Sequence, residues 1–145
     1  MGKAKKTAAG TDKIVVLVTC RDAAQAGEIA RALVETGLAA CVNVLASPVG
    51  SIYRWKGKVE NAPEHLMIIK SAQRLLPELQ RQVQRRHSYH VPEIIALPIA
   101  GGSRAYLQWL EECLTPGQKA KAKSKKEKGK RRKANSHTAH GAGKS

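Results

Sequence analysis

The sequence predicts an α+β fold of the ferredoxin-like, split βαβ type, in the order βαββαβ with an additional C-terminal helix. Three observations carry this. Apolar runs rich in β-branched residues, such as IVVLVTC, alternate with two stretches whose apolar residues recur at helical spacing. Gly, Pro and Asn punctuate the boundaries between these segments. Strand-like segments follow one another directly between the two main helical stretches, which calls for an antiparallel sheet with both helices on one face.

Lys13 to Cys20 (KIVVLVTC) is a continuous run of the kind found in a central strand covered on both faces. Asp22 then offers an N-cap, with Gln25 at the reciprocal capping-box position. Ala26, Ile29, Ala30, Leu33 and Val34 follow at helical spacing, and Gly37 supplies the stop. Leu38 to Leu45 (LAACVNVL) reads as a second strand and Gly50 to Lys58 (GSIYRWKGK) as a third, or the two form one strand bent at Ser47 and Pro48. Alternation in the third puts Ile52, Arg54 and Lys56 on one face and Ser51, Tyr53, Trp55 and Gly57 on the other.

Glu60, Asn61, Ala62 and Pro63 read as a turn, leading into a fourth strand, His65 to Ser71, as hairpin partner of the third. Leu75, Leu76, Leu79 and Val83 give a second helix, which starts near Arg74 so that Pro77 falls in its first turn. His87 to Glu93 (HSYHVPE) leads through Pro92 into a fifth apolar run, Ile94 to Ile99. Ser103 caps a closing helix that contains Tyr106, Leu107, Leu110 and Cys113.

A chain of 145 residues leaves room for one domain, placed at residues 13–114. Residues 1–12 hold almost no large apolar side chain and residues 118–145 hold none, so a disordered N-terminal arm (1–12) and a disordered basic tail (115–145) are expected. Charge divides the same way. Of the formal +15, residues 1–12 carry +2 and residues 13–117 carry +3, while residues 118–145 carry eleven basic side chains against Glu127 alone, or +10. The basic character therefore belongs to the tail. That tail predicts nonspecific polyanion or nucleic-acid contact, without the interleaved aromatics that base stacking requires, and a solubilising extension is the plainer alternative.

No apolar run reaches the roughly 20 residues of a membrane span, and no signal-peptide core precedes the first strand. Cys20, Cys41 and Cys113 make an odd count at long spacings, which predicts reduced thiols and a cytoplasmic location. HExxH, Walker, GxSxG and CxxC patterns are all absent from the sequence, which predicts a protein without enzymatic activity. A core without Phe buries proportionally little surface and would gain from association through the open sheet face and the aromatic hairpin.

Several segments resemble CutA proteins: Thr19-Cys20 with Asp22, Ala39-Ala40-Cys41-Val42-Asn43, Ser51-Ile52-Tyr53 with Trp55 and Gly57, and Ile69-Lys70. His87-x-Tyr89-x-Val91-Pro92-Glu93-Ile94 and Tyr106-Leu107-x-Trp109-Leu110 complete the match, which spans roughly residues 13–114 in order. The resemblance implies a ferredoxin-like homotrimer, similar in architecture to the PII signalling proteins, associated with tolerance of divalent metals and with binding copper and other divalent cations. It also implies metal ligands at Cys20, His87 and Glu93. The chain departs from the usual His-Pro-Tyr segment, with Arg86 before His87, Ser88 after it and His90 before Val91.

Thiolate, imidazole and carboxylate together suit Cu or Zn, bound reversibly rather than tightly. Each residue also has a plainer reading. Cys20 reads equally as a buried strand-end residue, His87 as the end of the second helix, and Glu93 as half of a salt bridge to Lys70 or an Arg. Tyr53, Trp55, Tyr89 and Trp109, with Lys70, are candidates for an intersubunit pocket, although aromatics in so small a domain also serve as packing. A PII-like sensor of a small anionic ligand, held by Lys70, is the alternative function.

Overall fold

The computed structural model describes residues 11–115. Its elements are β1 (Lys13–Cys20), α1 (Ala23–Glu35), β2 (Cys41–Val44), β3 (Val49–Trp55), β4 (Lys58–Ala72), a 3-10 turn (Gln73–Leu75), α2 (Leu76–Arg86), β5 (Ile94–Pro98) and α3 (Arg104–Cys113). The sheet order is β2-β4-β1-β5 with every pairing antiparallel, and β3 pairs with β4. This is the ferredoxin-like arrangement, with β2 and β3 both lying along one long partner strand.

β4 organises the fold. Its first half, up to Glu64, pairs with β3, and its second half, from His65 to Ala72, pairs with β1 while Met67 to Lys70 also pairs with β2. The turn expected at Glu60 to Pro63 is instead strand, and the chain reverses at Lys56-Gly57. Both turn residues have positive φ, 49° and 80°, as a two-residue turn matching the twist of a hairpin requires. Pro63 is tolerated because this half of β4 has a partner strand on one side only, so its missing N–H costs no ladder bond.

The helix-facing side of the sheet is set by register. Val16 pairs with Ile69 and Val18 with Met67, and these four, with Ile14 and Cys20, pack against Ala26, Ile29 and Leu33 of α1 and Leu79 and Val83 of α2. All are buried, and each large apolar side chain contributes about 1.5–3 kcal/mol relative to exposure. Ser71, in the same row, donates a 2.7 Å hydrogen bond to Leu38 O and so remains satisfied.

Asp22 caps α1 as expected, accepting from Gln25 N at 2.9 Å, and Gly37 takes φ 75° after its end. The reciprocal half of the capping box is not made: the Gln25 side chain accepts from Ser88 N and Oγ instead, tying α1 to the segment after α2. The second strand is shorter than expected because Leu38, Ala39 and Ala40 form a buried connection.

β1 is interior in the sheet, but its second face is only partly covered within the described residues. α3 closes one end of that face, burying Leu110 and Leu114 against Ala40 and Ala72. Beyond α3, Ile95 and Leu97 are left 49% and 48% exposed. Thr11 and Asp12, grouped with the N-terminal arm by composition, are held by hydrogen bonds to Ile99 O and from Gln73 N. Asp12 also joins Lys13, Arg74 and Glu111 in a four-membered charge cluster, with contacts of 2.6–3.2 Å, that ties β1, the 3-10 turn before α2, and α3 together. The expected basic tail lies outside the described residues.

Candidate functional site

The β3–β4 ribbon projects past the end of the sheet, and the segment between α2 and β5 runs back toward it. Between them is a cleft of about 370 Å³. Strand alternation aims Tyr53 and Trp55 into it from β3. β4 adds Glu64, which shares their face because it pairs with Val49 in the ribbon. The facing segment contributes Tyr89, His90, Val91 and Glu93, and Thr19 at the end of β1 closes the inner wall.

Tyr89 and Glu64 join the two sides. The phenol donates to Glu64 Oε2 at 2.6 Å, and burial together with this bond holds the Tyr89 hydroxyl above its usual range. Glu64 is only 8% exposed, yet among the described residues this hydroxyl is its one side-chain partner and no basic group pairs with it.

His87 lies behind the cleft, buried, with its ring 4.7 Å from that of Tyr89. Its Nδ1 accepts from Tyr89 N at 3.1 Å, which requires a lone pair there, so Nε2–H donates to Thr19 O at 2.8 Å. Both ring nitrogens are thus used in placing the 87–93 segment against β1. Cys20 faces the helices, with its sulfur 3.5 Å from that of Met67. Burial, reinforced by Asp22 and Glu64, pushes its thiol up to about 11, so it is protonated at neutral pH. Glu93 is exposed, and among the described residues the pairing with Lys70 or an Arg is not made.

The three residues expected as metal ligands therefore do not converge. Cys20 points into the core as a thiol, His87 has no nitrogen to spare and Glu93 points to solvent. Among the described residues no group of three or more His, Cys, Asp or Glu is arranged to hold an ion. As one ligand set within this chain, they do not fit a copper or zinc ion.

Of the five residues expected in an intersubunit pocket, Tyr53, Trp55 and Tyr89 line this cleft, which is formed within one chain. Lys70 lies on the open sheet face, opposite Val15 and Cys41, and donates to Asn43 Oδ1. Trp109 is on α3, its ring tilted 38° against that of Tyr106 with centroids 5.4 Å apart. Glu64 and His90 escaped sequence reasoning. The alternation of β4 back from the Lys56-Gly57 turn would have placed Glu64 on the Trp55 face.

Fold and cleft together define a small ferredoxin-like domain with a cleft lined by aromatic rings and carboxylates. Residues 14–113 match the family model described as CutA1 divalent ion tolerance protein, and the chain belongs to that family. It is 49% identical over 98 residues to the divalent-cation tolerance protein CutA of Thermus thermophilus, covering 68% of this chain and 94% of that one. It is 50% identical over 95 residues to Homo sapiens protein CutA, covering 66% of this chain and 52% of that one, so it spans about half the human relative. Among solved structures, the divalent cation tolerance protein Cut A1 from Thermus thermophilus superposes with a TM-score of 0.69 at 47% identity, over 71% of this chain and 99% of that one. CutA1 from Oryza sativa gives 0.71 at 39% identity, over 75% and 99%.

Proposed function

We propose that this chain is a non-enzymatic, homotrimeric protein that binds divalent cations of the copper or zinc type reversibly and serves in their tolerance. Membership of a divalent ion tolerance family supports the coarse reading. The observation that carries the finer one is Glu93, an exposed carboxylate on the cleft wall with no cationic partner among the described residues. His90 lines the same cleft, and an imidazole with a carboxylate suits a borderline cation. Two donors make a weak site, in keeping with reversible binding.

Half-exposed Ile95 and Leu97 on the open sheet face, with half-exposed Tyr106 and Trp109 on α3, support association, since exposed large apolar side chains are a common mark of a subunit contact. The number three rests on the family resemblance. No helix among the described residues is long and apolar enough to cross a membrane. A cytoplasmic location rests on the three cysteines, none of them in a disulfide; two relatives are named chloroplastic and one solved structure periplasmic.

Calorimetric titration with Cu²⁺ and Zn²⁺, with light scattering on the same samples, tests this reading. Glu93→Ala is expected to weaken binding while Cys20→Ser changes it little, both in a particle of three times the chain mass. A stable monomer, or metal affinity that depends on Cys20 and not on Glu93, refutes it.

The anionic-ligand alternative finds less support, because among the described residues no Lys or Arg lines the cleft and Lys70 is elsewhere. Polyanion contact by residues 118–145 rests on their charge alone. It predicts an affinity for nucleic acid that falls steeply with salt and is lost when the tail is deleted.

A further inference from the structure

We infer that the cleft between the β3–β4 ribbon and the 87–93 segment binds an organic ammonium cation. The inference rests on the reading of the cleft as a cation site but concerns a different class of cation. Three independent features point to it.

Tyr53, Trp55 and Tyr89 bring three π-systems to one cavity, and Tyr53 and Trp55 remain about half exposed although each is large enough to drive burial. Aromatic faces gathered with open space between them are the means by which proteins hold quaternary or protonated amines, whose positive charge is spread over apolar carbon. The cavity's size, about 370 Å³, falls in the range of roughly 300–1,000 Å³ usual for small-molecule pockets and is far larger than a bare metal ion needs.

The second feature is the sign of the lining. Glu64 and Glu93 contribute carboxylates, and apart from His90 no basic side chain among the described residues lines the cleft. The third is Glu64 itself: an almost fully buried carboxylate whose single side-chain partner among the described residues is a neutral phenol. A buried carboxylate is costly without a cation nearby. A ligand ammonium beside Glu64, packed on Trp55, would offset that cost with groups already in place.

The test uses the full chain carrying Trp109→Phe, which leaves Trp55 as the sole tryptophan. Choline is titrated against its uncharged isostere, 3,3-dimethyl-1-butanol, with Trp55 fluorescence as the signal and ligand-observed NMR as the second readout. Saturable quenching by millimolar choline is expected, with the isostere binding about tenfold more weakly or worse. By NMR in the native background, Trp55→Leu and Glu64→Gln should each weaken choline binding by about fivefold to tenfold, in variants whose circular dichroism shows them folded.

Equal binding of choline and isostere, no saturable signal because a second copy covers Trp55, or full affinity in folded Trp55→Leu would each overturn the inference. Zinc calorimetry on the same protein separates the two claims. Choline binding without zinc binding refutes the metal reading alone, and zinc binding without choline binding refutes this inference alone.

Discussion

The hydroxyl of Tyr89 lies 2.6 Å from Glu64 Oε2, joining the ribbon that leaves one end of the sheet to the segment that returns from α2. The bond sets the width of the cleft. It also occupies one oxygen of a carboxylate that has no basic partner among the described residues.

Removing the phenol should therefore cost more than an exposed hydrogen bond would. Tyr89→Phe leaves Glu64 buried without its donor and is expected to destabilise the protein by about 1–3 kcal/mol. Urea unfolding followed by circular dichroism measures it. Replacing both partners, Tyr89→Phe with Glu64→Gln, should recover part of the loss, and additive losses would show that the two do not interact.

The core prediction concerns Ile69, fully buried between β1 and the helices. Ile69→Ala removes buried methyl groups and leaves a cavity, for an expected loss of about 2–5 kcal/mol. By contrast, Ile95→Ala on the half-exposed open face should leave monomer stability nearly unchanged and act on assembly, read by light scattering at decreasing concentration.

The charge cluster makes stability depend on pH at both ends. For Asp12 the hydrogen bond from Lys13 comes first in holding the carboxyl below its ordinary 3.8. For Glu111, burial acts upward, but bonds from Lys13 and Arg74 outweigh it and hold the carboxyl below 4.5. Both shifts are downward, so their contribution is present above those ordinary values and is lost as pH falls through the lower folded ones. Lys13 moves the other way: burial acts downward, and bonds to Asp12 and Glu111 raise it above 10.5. Its contribution is present below 10.5 and is lost as pH rises through the folded value. Because the two carboxylates are nearly half exposed, each pair is worth at most about 1 kcal/mol. Melting temperature against pH should fall less steeply on the acid side in Arg74→Ala than in the unaltered chain.

Thiol reactivity should follow depth. Cys113 is exposed and Cys20 is fully buried with its thiol held up to about 11, so a disulfide reagent at neutral pH should modify Cys113 quickly and Cys20 only on unfolding. Mass-spectrometric mapping of the labelled native protein reads this, and early labelling of Cys20 would contradict the burial described.

Much of the fold was legible because single residues mark it: Asp22 and Gly37 bracket α1, Pro77 fixes the first turn of α2 and Ser103 caps α3. The hairpin was not. Asn61 and Pro63 look like turn residues, and nothing local announces that Lys56 adopts positive φ beside Gly57. With the turn misplaced, the register of β3 on β4 was lost, and with it the position of Glu64 across from the aromatics. The aromatic half of the cleft was readable from the alternation of Tyr53 and Trp55. The metal set was not, because IVVLVTC is apolar at every other position on both faces, so the side to which Cys20 points is settled by pairing with β4 rather than by pattern.

Anomalous diffraction from zinc-soaked crystals of the assembled full chain tests the central claim most directly. The account predicts a peak within ligand distance of the Glu93 carboxylate at the cleft wall and none at Cys20. A peak bound by Cys20 and His87, or zinc bound with Glu93 uninvolved, would contradict it.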